Sequence, residues 1–115
     1  MKTELSRFRV KPGKSEKVDE WMAFLSEHMA DVLLTLDQEN MYVESIFRDH
    51  RDGYEYLYWF SIQGDHGAEV EDSDHWIDKQ HLAYWEECVD KSYPPADLTT
   101  EVVMIPSAIR AQMKD

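Results

Sequence analysis

Cysteine, glycine, proline and basic residues are all scarce in this chain, and each shortage closes off a class of protein. A single cysteine, Cys88, excludes an intramolecular disulfide framework. Four glycines and four prolines leave no low-complexity segment, and no glycine-rich phosphate loop, zinc spacing or nucleophile motif occurs. No run approaches the roughly 20 apolar residues needed to cross a bilayer, and the opening MKTELSRFRV lacks the apolar core of a signal peptide. Lysine and arginine total 12 against 24 aspartates and glutamates, a formal charge of −12. That balance argues against nucleic acid and anionic membranes as partners, since both bind through a basic surface. What remains is one soluble domain over residues 1–115, expected in the cytoplasm, long enough for one ordinary core and too short for two.

Within that domain the hydrophobic pattern is clear. Residues 3–10 alternate as a strand, with Ser6, Phe8 and Val10 on one face and Leu5, Arg7 and Arg9 on the other. The KPGKS turn follows, with Ser15 placed to cap a helix over 16–36 whose stripe is Val18, Trp21, Met22, Leu25, Met29, Val32, Leu33 and Leu36. Trp21 and His28 fall at the edge of that stripe. Two aromatic, β-branched runs joined around Asp52-Gly53 read as a hairpin. One hairpin face carries Val43, Ser45, Phe47, Tyr56, Tyr58, Phe60 and Ile62; the other carries Tyr42, Glu44, Ile46, Arg48, Leu57, Trp59 and Ser61. The first, being more apolar, is expected to pack under the helices. An acidic loop leads to a second amphipathic helix within 72–89, then a last strand over 97–105 and a tail from 106 to 115.

The order β-α-β-β-α-β is the ferredoxin-like arrangement, an α+β fold with a four-stranded antiparallel sheet and two helices on one face. Its opposite sheet face, expected to hold Leu5, Ile46, Leu57 and Trp59, calls for a second copy as cover.

Element order, the KPGK turn, the aromatic hairpin and the paired Tyr84-Trp85 together resemble the dimeric α+β barrel superfamily, most closely its small bacterial families of unassigned function. The chain is also similar to L-rhamnose mutarotase and to cofactor-independent antibiotic-biosynthesis-type monooxygenases. The tyrosine and histidine that the mutarotase family carries on its first helix fall here on Val18 and Met22, and the first strand lacks the asparagine of haem-degrading relatives. The resemblance implies a homodimer that needs no cofactor and holds a small molecule between helices and sheet.

On the second helix His81 lies within the apolar arc of Ile77, Tyr84, Trp85 and Cys88. It reads either as a core histidine bonded to Tyr58, Ser45 or a backbone carbonyl, or as an acid, base or ligand donor. In the second case Trp21 and Trp85 would wall the site, His28 would lie nearby and Tyr58 would offer its hydroxyl. Asp74 and Asp78 share His81's face, a spacing that could hold a metal but that the helix dipole explains as well, so no metal is expected. Glu44 and Arg48, with Arg7 and Trp59 on the same expected face, form either a structural ion pair or an alternative anion pocket. His66 and His75 read as solvated, and Cys88 as a buried, inert thiol. Two functions stay open: a small-molecule enzyme, monooxygenase-like or isomerase-like, and a non-catalytic binding or assembly homodimer.

Overall fold

The computed structural model describes residues 1–113. Its elements are β1 (Lys2–Arg9), α1 (Ser15–Glu27), α2 (Met29–Gln38), β2 (Met41–Arg51), β3 (Tyr54–Gln63), a 3₁₀ turn (Val70–Asp72), α3 (Trp76–Cys88), β4 (Ala96–Asp97) and a short α4 (Ser107–Arg110). The strands form one sheet in the order β2-β3-β1-β4, every neighbour antiparallel, so the fold is α+β. The hairpin closes through a two-residue loop in which Asp52 (φ 53°) and Gly53 (φ 81°) are both left-handed, the geometry that matches strand twist. Among the described residues no helix is long and apolar enough to cross a membrane.

Three helices cover one face of the sheet where the sequence predicts two. The long helix expected over 16–36 is broken at His28, whose φ of −108° and ψ of 32° leave the helical region. The 4-residue hydrogen-bond spacing survives the break, with His28 donating to Phe24 and Val32 donating to His28. The His28 ring lodges between Phe24 (4.9 Å) and Trp76 (5.1 Å), and that packing holds the kink. Past it the stripe swings outward, leaving Met29 and Leu33 exposed. Ser15 is not the cap; it opens α1, and both its hydroxyl and its carbonyl accept from Arg48.

The buried face of the sheet is the opposite of the one expected. Leu57 is fully buried and Trp59 packs on Trp21, whereas Phe47, Val43 and Tyr54 are exposed. Register fixes the set: Phe8 faces Leu57 and Ser6 faces Trp59, so Ser6, Phe8 and Val10 lie under the helices with Glu44, Ile46 and Glu55. Arg7, opposite Tyr58, lies on the outer face, away from Glu44 and Arg48. Leu5, opposite Phe60, goes with it.

Trp21 proves to be the centre of the core, not its edge. It is fully buried among Val10, Val18, Leu57, Tyr84, Cys88 and Val89, and its ring stacks on Tyr84 at 6.3 Å. Burial also pushes the Cys88 thiol up, keeping it protonated. The last strand is far shorter than predicted. After Leu98 donates to Leu5, Thr100 still meets Thr3 through its hydroxyl at 3.0 Å; β1 begins at Lys2, and farther along the chain Val102 and Met104 are exposed.

Candidate functional site

Between the inner face of the sheet and the three helices lies a cleft of about 960 Å³. A volume of that order suits a small organic ligand. Its floor comes from Ser6 and Phe8 on β1, Glu44 and Ile46 on β2, and Trp59 and Ser61 on β3. Asp78, His81 and Trp85 descend from α3, spaced so that one helix face presents all three. Glu39, just after α2, closes one side.

The loop 64–69 completes the wall by lying tightly on the corner between α2 and β2. Ala68 donates to the Gln38 carbonyl, and a Cβ added to Gly67 would sit 1.8 Å from the Glu39 carbonyl oxygen. Only glycine permits this approach.

His81 is anchored from below. The indole N–H of Trp21 donates to its Nδ1 at 3.0 Å, so that nitrogen carries no proton. Burial lowers the imidazole's pKa, and the nearby Asp78 only partly opposes this, so the ring is neutral at neutral pH. A neutral ring with a bare Nδ1 carries its proton on Nε2. No protein group among the described residues accepts that proton, which leaves Nε2–H as a donor for whatever enters the cleft.

The carboxyl groups opposite are perturbed the other way. Burial pushes Glu44 up, the indole N–H of Trp59 pulls it back, and Asp78 adds to the rise. Burial pushes Glu39 up to about 7, reinforced by repulsion from Glu44, Asp78, Glu71 and Glu69. A carboxyl that titrates near 7, as Glu39 does, can both take and return a proton.

The residues singled out from sequence divide sharply. His81, Trp85, Glu44 and Trp59 meet in the cleft, so the two pockets set apart by the sequence reading are a single one. Trp21 lies beneath it as the tether of His81. Tyr58 points from the outer face and cannot reach His81; Ser45 shares that face. His28 belongs to the kink rather than to the cleft wall. Arg48 ties β2 to the start of α1 and to β3, through Asp19 at 2.5 Å, Ser15 and Glu55, so no anion pocket forms on it. His75 is engaged rather than merely solvated, since its Nδ1 caps α3 by accepting from the Ile77 N–H at 3.2 Å. Among the described residues no three His, Cys, Asp or Glu groups are placed to hold a metal, and Asp74 is exposed outside the cleft. The sequence reading missed Glu39, whose only signal was an acid at the end of an amphipathic helix.

The fold and this cleft define a small α+β protein with a polar, aromatic-walled cavity under its helices. The chain belongs to DUF6176, a family of unknown function, whose model matches residues 1–111. No curated protein matches it.

Proposed function

We propose that the chain binds a small, ring-containing organic molecule in the helix–sheet cleft and moves a proton on it without a bound cofactor, as an isomerase-like enzyme. The observation that carries this reading is the Trp21 tether on His81. With Nδ1 occupied, His81 serves as a neutral donor through Nε2–H, not as a base. It would hold a carbonyl or hydroxyl oxygen and steady the charge that develops there. Glu44 is the base, its basicity raised by burial. Trp59 and Trp85, edge to face at 5.5 Å, would flank the ring of the substrate. A proton donor opposite a carboxylate suits removal and return of a proton better than the monooxygenase-like alternative. The non-catalytic reading draws on the same hydrogen bond, since Trp21 satisfies a half-buried imidazole as a structural partner would.

Thermal-shift screening of a metabolite panel separates the two. A molecule that raises the wild-type melting temperature is expected to bind His81→Ala at least about tenfold more weakly, a loss of about 1.4 kcal/mol. Glu44→Gln should lose turnover while weakening binding less than His81→Ala does. Equal affinity for wild type and His81→Ala would contradict the reading.

The same proposal takes the subunit to be ferredoxin-like and to form a cytoplasmic homodimer of the dimeric α+β barrel kind. Strand order β2-β3-β1-β4, with all helices but the short α4 accounted for above the inner face, supports the fold. Support for the dimer comes from the outer face, where Phe47 and Val43 are exposed. Light scattering at micromolar concentration should give twice the 13.6 kDa chain mass. A mass of one chain would reject the dimer and leave the cleft untouched.

A further inference from the structure

We infer that the molecule this cleft receives carries a positive charge beside its ring: a small organic ammonium compound. The inference rests on the small-molecule reading of the cleft and adds the charge class of its ligand. Among the described residues six carboxyl groups line the cavity, Glu4, Glu39, Glu44, Glu69, Glu71 and Asp78, against one base, Lys2, which is already paired with Glu4 at 3.1 Å. Asp78 is the decisive member. It is only 6% exposed, it forms part of the cleft wall, and its side chain has no hydrogen-bond or ion-pair partner among the described residues. A carboxylate drawn this far from bulk water without a protein partner is a natural seat for a cation.

The surrounding rings favour the same ligand. Phe8 and Trp85 meet edge to face at 4.5 Å and Trp59 joins them at 5.5 Å from Trp85, so a molecule in the cleft touches aromatic surface, which attracts cations. An anion finds no arginine in the cleft wall, because Arg48 is committed to Asp19, Glu55 and Ser15. A metal ion is disfavoured because the acids are spread around the cavity and no three come together to coordinate one. Mutual repulsion among these acids helps hold Glu39 near 7, and a bound ammonium group relieves it.

Three probes of the same ring separate the outcomes: cyclohexylamine, cyclohexanol and cyclohexanecarboxylate, titrated into the full chain at neutral pH. Tryptophan fluorescence reports binding through Trp59 and Trp85. The amine should bind at least about tenfold more tightly than the alcohol, and the carboxylate most weakly. Asp78→Asn and Glu44→Gln, each checked for folding by circular dichroism, should each lower amine affinity severalfold and narrow its lead over the alcohol. Saturable binding of the alcohol or the carboxylate at least as tight as the amine's would overturn the charge class while leaving the cleft reading intact. An amine lead unchanged in both variants would overturn the assignment of the charge to these carboxylates. No response to any of the three, in fluorescence or in melting temperature, would bring down the small-molecule reading together with this inference.

Discussion

Trp21→Ala is expected to lower unfolding stability by about 3–5 kcal/mol, the range for losing a large aromatic side chain from a packed core. The residue is fully buried, stacks on Tyr84 and touches Trp59, Trp85 and His81, so its removal leaves a void lined by four rings. Trp21→Phe is the sharper variant. It keeps much of the ring volume but removes the N–H that His81 Nδ1 accepts, and is expected to cost about 1–3 kcal/mol. Urea denaturation measures both. A Phe variant as stable as wild type would mean that the hydrogen bond contributes nothing to holding the ring, and the tethered-donor account would lose its basis.

Glu39→Gln is expected to stabilise the protein at alkaline pH and leave it unchanged in acid. In the folded chain burial raises this carboxyl from 4.5 to about 7, with Glu44, Asp78, Glu71 and Glu69 facing it. A folded pKa above the unfolded one means that the folded state binds the proton more tightly. Below pH 4.5 both states hold the proton and the residue costs nothing. As pH rises from 4.5 to about 7 the unfolded chain releases its proton first, and stability drains away until the cost is complete. Gln has no proton to lose, so its advantage over wild type opens across that window and then stays level, at about 1–2 kcal/mol once solvent screening is allowed for. Denaturation midpoints of both proteins across the pH range give the comparison. Equal stability at alkaline pH would remove the evidence for a crowded, desolvated acid in the cleft. A group kept at a cost to stability is what a binding site built for an absent partner looks like.

The periodicity of the helices and the hairpin could be read directly, because spacing of apolar side chains is imposed by backbone geometry. The kink at His28 could not. No glycine or proline marks it, and the hydrogen-bond spacing runs on through it, so the residues that cause it, Phe24 and Trp76, are joined only by folding.

The inverted sheet face has a different origin. Alternation says which residues share a face, and apolar content was used to choose the buried one. Glu44, Arg48 and Ser61 made the true inner face look like a surface, yet they are polar because that face lines a cleft and carries the ion pair of Arg48 with Glu55. The outer face, in turn, leaves the apolar Phe47 and Val43 exposed. On the proposed function and assembly, the pattern departs from a simple core at the positions where a ligand and a second copy would bind.

His81 was visible as a histidine in an apolar arc, but its role depended on a partner 60 residues away. Sequence could offer Tyr58 and Ser45 as that partner only because the face assignment was reversed. Once the face is set correctly, Glu44 and Trp59 move beside His81 and Arg48 moves out of contention.

The tautomer of His81 is the most direct test of this account, because the tether, the neutral ring and the free Nε2–H all follow from it. Long-range nitrogen–proton NMR on ¹⁵N-labelled protein at neutral pH reads the two ring nitrogens separately. The account predicts a bare Nδ1 and a protonated Nε2, with the Nε2 signal moving when a cleft ligand is added. A proton on Nδ1, or an imidazolium carrying both, would contradict it.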